Sequence, residues 1–102
     1  MGRWAQRKRA GGGGESLNYI TNVHSVPGID TLQVTYHAPV DPDALDPAAF
    51  QSIPSASFGQ GKAPNSETQV EIFYGDDISA DTTLDYDGTT PGLLTPQTVP
   101  FT

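Results

Sequence analysis

The sequence predicts an all-β fold, a sandwich of short strands with one or two single-turn helices and an extended N-terminal arm. Glycine and proline are frequent, at 11 and 9 of 102 residues, which favours short elements joined by many turns. Apolar and polar residues alternate in three stretches, as they do in half-buried strands. A length of 102 residues with 35% hydrophobic residues suffices for one domain with a modest core.

The first 14 residues, MGRWAQRKRAGGGG, form a segment distinct from the rest of the chain. The segment holds four of the five basic residues and no acidic residue, so its charge is +4, while the remainder carries one lysine and twelve acids, or −11. Four consecutive glycines bring no side chains to bury and lose the most backbone entropy on ordering. We therefore divide the chain into a basic, glycine-hinged arm (1–14) and a β-sandwich domain (15–102) with a proline-rich C-terminal segment.

Four strands are predicted, a first strand followed by the three stretches in which the residues alternate. LNYITNV (17–23) and TLQVTYHAPV (31–40) come first, followed by TQVEIFYG (68–75) and TTLDYDG (82–88). The predicted inward-facing residues are Leu32, Val34, Tyr36, Val70, Ile72, Tyr74, Leu84 and Tyr86.

The remaining stretches are predicted from their turn chemistry. Asp-Pro occurs twice in residues 41–50, and since Asp caps helices and Pro fits the first helical position, we expect one or two helical turns with Leu45 and Phe50 inside. Residues 52–67 predict a short strand around Ile53 and then a long mobile loop. The three prolines near the C-terminus predict an edge strand or an extended tail.

Composition narrows the classes of function. The chain has no cysteine, so disulfides, thiolate nucleophiles and cysteine metal sites are excluded. The sequence has no apolar run of the length that a membrane span needs, and the basic start lacks the apolar region of a signal peptide. Neither a Gly-x-Ser-x-Gly elbow nor a phosphate-binding loop is present. These features predict a protein that is not an enzyme, has no cofactor and does not bind membranes.

The strands and turns resemble bacterial immunoglobulin-like (Ig-like) domains of the surface-layer type. The resemblance covers roughly residues 17–90. It rests on TLQVTYHAPVDPDALDPAAF, through Val34, Tyr36, Pro39, Val40, Asp41 and Leu45, and on TQVEIFYGDDISADTTLDYDG, through Val70, Ile72, Ile78, Ala80, Thr83, Leu84 and Tyr86. It implies an Ig-like β-sandwich.

The arm and the C-terminal segment have a resemblance of their own. A short start with Arg-Trp-Ala and Arg-Lys-Arg before glycines, and the ending LDYDGTTPGLLTPQTVPF, are similar to small virion proteins of tailed bacteriophages. This implies a capsid decoration or accessory protein, made in the host cytoplasm and incorporated in many copies into a symmetric virion. The implied partners are the major capsid protein or other virion proteins.

Trp4 and its basic neighbours are the candidate partner-binding residues. Tryptophan and arginine are enriched at the energetic centres of protein interfaces, so we predict docking through Arg3, Trp4, Arg7, Lys8 and Arg9. An unselected tail is the alternative for this segment. The arm's charge could also attract DNA, but four charges are few and the −11 of the body opposes that interaction.

The acidic loops and the two histidines admit a functional and a structural interpretation. Asp41, Asp43, Asp46, Asp76 and Asp77 are weak candidates for calcium, since carboxylates suit that ion, but EF-hand spacing is absent and turn formation is favoured. His24 and His37 are predicted to be polar strand-end residues, although a pair between His37 and Asp41 is conceivable.

Three functions remain open at this point. The first is a non-enzymatic virion protein that decorates or cements a phage capsid and docks through its arm. The second is an Ig-like adhesion or spacer module of a bacterial surface protein. The third is a tail or neck accessory protein.

Overall fold

The structure is a computed structural model that describes residues 18–26, 30–93 and 95–102. The predicted arm lies outside the described residues. Within them the chain forms seven strands and two single-turn 3-10 helices. In chain order these elements are β1 (Ile20–Ser25), β2 (Thr31–Tyr36), a first 3-10 turn (Pro42–Ala44), a second 3-10 turn (Pro47–Ala49), β3 (Phe50–Ile53), β4 (Ser57–Ser66), β5 (Gln69–Tyr74), β6 (Thr83–Tyr86) and β7 (Gln97–Pro100).

The strands pair in the order β1-β2-β5-β4-β3-β6-β7, and every neighbouring pair is antiparallel. The order divides into two layers, β1-β2-β5-β4 and β4-β3-β6-β7, because β4 pairs with β3 at its start and with β5 along the rest of its length. Lettered A to G in chain order, the layers are ABED and CFG, with D also meeting C, which is the strand arrangement of seven-stranded immunoglobulin-type sandwiches. The predicted all-β sandwich with two single-turn helices is confirmed. The family resemblance stays a prediction, since a shared architecture does not establish kinship.

The core lies between the two layers and has the predicted facing. Leu32 and Val34 of β2 pair with Ile72 and Val70 of β5, and all four side chains have no exposed surface. The buried hydrophobic residues are Ile20, Val23, Leu32, Val34, Tyr36, Leu45, Ala49, Phe50, Val70, Ile72, Tyr74, Ile78, Leu84, Tyr86 and Leu93. Every inward-facing residue predicted from the alternation belongs to this set.

The two Asp-Pro turns form as predicted. Asp41 and Asp46 are their N-caps, with each carboxylate accepting a hydrogen bond at 3.0 Å from the backbone N–H two residues later. The fixed φ of proline suits the first helical position. The turns place Leu45 and Phe50 in the core.

The prediction for residues 52–67 was wrong in one respect. The short strand around Ile53 exists as β3, but the expected mobile loop is β4, ten residues long. Its inward positions hold Ser57 and Gly59 instead of large apolar residues, so the usual strand pattern is absent from the sequence.

Gly59 is small because other groups occupy the space that a side chain would need. A Cβ atom there would collide with the Pro47 carbonyl oxygen and would lie 2.6 Å from Cγ2 of Ile72. The second 3-10 turn therefore packs directly on the backbone of β4.

Both outer edges of the strand order are in contact with other parts of the chain. Gln97 of β7 exchanges two hydrogen bonds with the backbone of Ile20 in β1, at 2.8 and 3.2 Å. The Thr102 N–H donates to the Val23 carbonyl at 2.9 Å. β1 and β7 therefore close the sandwich on one side, and β7 is the edge strand predicted for the C-terminal segment.

Candidate functional site

The partner-binding residues predicted from the sequence, Arg3, Trp4, Arg7, Lys8 and Arg9, lie outside the described residues. The body itself carries polar groups in its acidic loops, two histidines, a buried carboxylate, three buried tyrosines and a cleft.

The acidic loop residues are engaged in caps and turns. Asp41 and Asp46 cap the two 3-10 turns, and Asp43 is exposed in the first of them. Asp77 accepts a hydrogen bond from the Ser79 N–H at 2.8 Å. Hydrogen bonds from the Ser79 hydroxyl and backbone lower the pKa of the exposed Asp77 carboxyl below its ordinary value. Across residues 18–26, 30–93 and 95–102, no group of three or more histidine or acidic side chains is arranged to hold a metal ion.

The two histidines contact different parts of the chain. The His37 ring stacks on the Tyr19 ring, with centroids 4.6 Å apart and an angle of 9° between the planes. Nδ1 of His24 lies 3.0 Å from the carbonyl oxygen of Thr102. The conceivable His37–Asp41 pair is not formed.

Asp81 belongs to the acidic stretch 76–87, which was expected to form turns and a solvated face, but its carboxylate is buried. The hydroxyls of Ser52 and Ser55 each donate to it at 2.6 Å, and the Ser55 N–H donates at 3.0 Å. The Ser57 hydroxyl lies 3.0 Å from that of Ser55 and 3.2 Å from the Asp76 carboxylate. The two bonds of 2.6 Å to Asp81 have the length of charge-assisted O–H···O⁻ contacts, whereas the contacts of Ser57 are longer.

This cluster holds the turn between β3 and β4 through direct hydrogen bonds from the serines to the carboxylate. In a Ser-His-Asp triad, by comparison, a histidine lies between the hydroxyl and the carboxylate and removes the proton. Here the hydroxyls of Ser52 and Ser55 bond to the carboxylate directly, and both histidines lie elsewhere. The only cue in the sequence is the serine spacing at 52, 55 and 57, which is equally typical of an exposed loop.

Three buried tyrosines lie in the core and differ in how their hydroxyls are bonded. The Tyr74 hydroxyl donates to the Phe50 carbonyl at 3.1 Å, while the Tyr36 hydroxyl has no partner among the described residues. Burial raises the pKa of Tyr36 and of Tyr74 well above the ordinary value. The Tyr86 hydroxyl accepts a hydrogen bond from the Thr90 N–H at 2.7 Å, which fixes the loop after β6 to the core.

A cleft opens where that loop meets the start of β1 and the first 3-10 turn. Its volume is about 210 Å³. It is lined by Asn18, Pro39, Val40, Asp41, Leu45, Thr90, Pro91 and Gly92.

Each wall of the cleft is held by specific hydrogen bonds. The Asn18 side chain donates to the Ala38 carbonyl at 3.0 Å and accepts from the Ala38 N–H at 2.9 Å, so it pairs with the chain as another strand would. Asn18 also forms a parallel bridge with Leu93. Gly92 has a φ of 86°, which suits the sharp turn between Thr90 and Leu93.

The lining of the cleft determines what it can bind. Pro39, Val40, Leu45 and Pro91 are apolar, and the exposed Asp41 contributes a carboxylate. Thr90 is only 4% exposed, and its hydroxyl has no hydrogen-bond partner in the described part of the chain. Sites for drug-sized ligands usually exceed about 300 Å³, so this cleft suits one side chain better than a cofactor.

None of the helices in the described ranges is long and apolar enough to cross a membrane. Comparison of the chain with protein-family models, with curated proteins and with solved structures found no match. The functional assignment therefore depends on the chain's own charges, strand edges and cleft.

Proposed function

We propose that the protein is a non-enzymatic structural component of a tailed-bacteriophage virion, a capsid decoration or cement protein that docks through its basic N-terminal arm. Its partner is the major capsid protein or another virion protein. The observation that carries the proposal is the division of charge between an arm of +4 and a body of −11.

The closed strand edges of the body support a docking role for the arm. Peptides often join a sheet by pairing with an exposed edge strand. Here β1 and β7 are engaged with each other through Gln97 and Thr102. The part of β4 beyond its pairing with β3 has only β5 as a neighbour, so it is a further edge. This part contains Lys62, which donates to the Leu45 carbonyl, and Pro64. Lysine and proline on an edge strand oppose the addition of another strand. Attachment by strand pairing is thus disfavoured, and the arm is the better candidate.

Repetition on a lattice would make such an arm effective. Fourteen extended residues span at most about 46–50 Å, a distance sufficient to reach a neighbouring subunit. Once the body has bound, the linked arm meets its own site at a high effective concentration. The two contacts together therefore bind more tightly than either contact alone.

Co-sedimentation with virus particles that lack the native copy tests the proposal. Trp4→Ala should weaken attachment at every salt concentration, by about 2 kcal/mol or more, because a buried aromatic anchor is not screened by salt. Replacing Arg3, Arg7, Lys8 and Arg9 with glutamine should remove the salt-sensitive part of the attachment. Gln6→Ala, a neutral change within the same arm, should sediment like wild type.

Two outcomes would contradict the proposal. If Trp4→Ala and deletion of residues 1–14 both sediment like wild type, the arm is not the anchor. If the parent gene encodes tandem copies of the body, the protein is an adhesion or spacer module of a bacterial surface protein instead.

A further inference from the structure

We infer that the cleft between Asn18, the first 3-10 turn and residues 90–92 is the binding site for the protein's own N-terminal arm, with Trp4 inserted and Arg3 beside Asp41. The inference concerns the protein before it meets any partner. It does not depend on the virion assignment.

The connection between arm and cleft is short. Asn18 is itself part of the cleft wall, so the arm is joined to the body at the site where we place it. Thirteen residues separate Trp4 from Asn18, four of them consecutive glycines that permit the chain to reverse direction. A short flexible link of this kind gives effective concentrations in the millimolar range.

The lining matches a tryptophan side chain. Four of the eight lining residues are apolar, and a volume of about 210 Å³ accommodates a single aromatic side chain. A buried tryptophan needs an acceptor for its indole N–H, which can only donate. Thr90 lines this cleft, and its hydroxyl has no partner among the described residues. We assign it as that acceptor, which requires the buried oxygen to turn toward the cleft when the indole enters.

The charges at the cleft match the residue beside Trp4. Asp41 lies at the cleft and is exposed, and Asp43 follows it in the same 3-10 turn. Arg3 precedes Trp4 in the sequence. An arginine and a carboxylate at this site would attract one another, and salt would weaken that attraction.

The tether favours the protein's own arm over the arm of a second copy. Both have the same sequence and the same chemistry. At micromolar protein concentration, however, a second copy competes against a millimolar effective concentration of the attached arm. The occupant is therefore expected to be intramolecular in dilute solution.

Trp4 is the only tryptophan, so tryptophan fluorescence of the full chain reports on the arm alone. We expect blue-shifted emission, weak quenching by acrylamide, a monomeric mass, and no change of any of these on dilution. Pro91→Arg places bulk and positive charge at the cleft, and should red-shift the emission and increase quenching severalfold. Pro64→Arg, an exposed proline in β4 away from the cleft lining, should behave like wild type.

A second matched pair isolates the charge. Asn caps helical turns as well as Asp does, so Asp41→Asn keeps the cap and removes only the carboxylate. It should increase acrylamide quenching at low salt and have little effect at high salt. Asp46→Asn makes the same change in the second 3-10 turn, outside the cleft lining, and should have no effect.

Three results would overturn the inference. Emission typical of a fully exposed tryptophan in the wild type would show that the arm is not bound. Buried emission that Pro91→Arg leaves unchanged would place the arm elsewhere. Burial that appears only at high concentration, together with a dimeric mass, would assign the cleft to a second copy. All three are measured without virus particles, so they are distinguishable from failure of the co-sedimentation test.

Discussion

Tyr36 and Tyr74 are both buried in the core, but only one of them has a bonded hydroxyl. The Tyr74 hydroxyl donates to the Phe50 carbonyl across the layers, whereas the Tyr36 hydroxyl has no partner in the described residues. A buried polar group without a partner costs free energy, and a buried group with one is close to neutral or stabilising. The same substitution should therefore have opposite consequences at these two positions.

We predict that Tyr36→Phe leaves the free energy of unfolding unchanged or raises it by up to about 1 kcal/mol, because it removes an unbonded hydroxyl. Tyr74→Phe should lower it by about 1–2 kcal/mol, because it also deprives the Phe50 carbonyl of a donor. Urea titration of the two variants beside the wild type measures both effects. Equal losses at the two positions would contradict the prediction.

The raised pKa values of Tyr36 and Tyr74 also predict how the free energy of unfolding changes at alkaline pH. Folding keeps both tyrosines protonated, while an unfolded chain releases their protons above a pH of about 10. The contribution of these two tyrosines to the free energy of unfolding is therefore fully present below that pH and is lost as the pH rises beyond it. Tyr36→Phe removes one of these groups, so its stability should decline less steeply between pH 10 and 12 than that of the wild type.

Asp81 shows why the sequence did not reveal every important residue. Its carboxylate binds Ser52 and Ser55, which are 29 and 26 residues away in the chain. Aspartate and serine are ordinary surface residues, so the sequence favours exposure unless the partners are known. Leu84 and Tyr86, by contrast, were predicted correctly because alternation within a single strand is a local signal.

β4 is the element on which sequence and structure disagree most. Its buried positions hold Ser57 and Gly59, and at Gly59 the second 3-10 turn and Ile72 fill the space that a side chain would need. Strand recognition from the sequence relies on large apolar residues at alternate positions, and β4 lacks them. The strand is instead stabilised by its neighbours, through pairing with β3 at one end and β5 along the rest.

Gly59→Ala should be strongly destabilising, by about 3 kcal/mol or more, since backbone atoms of Pro47 cannot move aside as a flexible side chain would. Gly61→Ala lies two residues later in the same strand, where the new Cβ would meet the Phe73 ring at 3.4 Å. That contact requires little adjustment, so the change should be mild. Thermal unfolding of both variants measures the difference, and a mild Gly59→Ala would show that the second turn is not packed on β4.

The sequence predicts the positions of some residues that line the cleft but not of others. Asp41 and Leu45 were assigned to a helical turn because the Asp-Pro pattern is local. Asn18 and Thr90 were not recognised as its walls, because their positions depend on contacts with Ala38 and Tyr86. Local patterns predict elements, whereas a cleft depends on which elements meet.

At the scale of the whole molecule, the sandwich is closed by side chains where β1 meets β7. Gln97 bonds both backbone groups of Ile20, and Thr102 bonds Val23. These contacts take the place of a regular ladder between the first and last strands. Beside them Ile20 is buried in the core, and Val99 is partly buried against it.

We predict that Gln97→Ala lowers the free energy of unfolding by about 1–2 kcal/mol, since two hydrogen bonds are lost. Hydrogen exchange at the Ile20 amide should accelerate by more than exchange at the Val70 amide in the middle of the core. Thr98→Ala, the exposed neighbour whose hydroxyl lies 3.3 Å from Asp85, should be close to neutral. Unchanged protection at Ile20 would mean that the closure does not persist in solution.

The same closure has a mechanical consequence. Ile20 lies beside Gln97 and Val23 beside Thr102, so β1 and β7 run in the same direction. Asn18 and Thr102 therefore lie at opposite ends of this strand pair. A force that pulls them apart acts along the strands, and the contacts bear the load together in shear instead of opening one after another. Because β4 pairs with both layers, the load that reaches one layer passes to the other through backbone hydrogen bonds. A domain pulled in this direction should resist extension more strongly than its modest core would suggest.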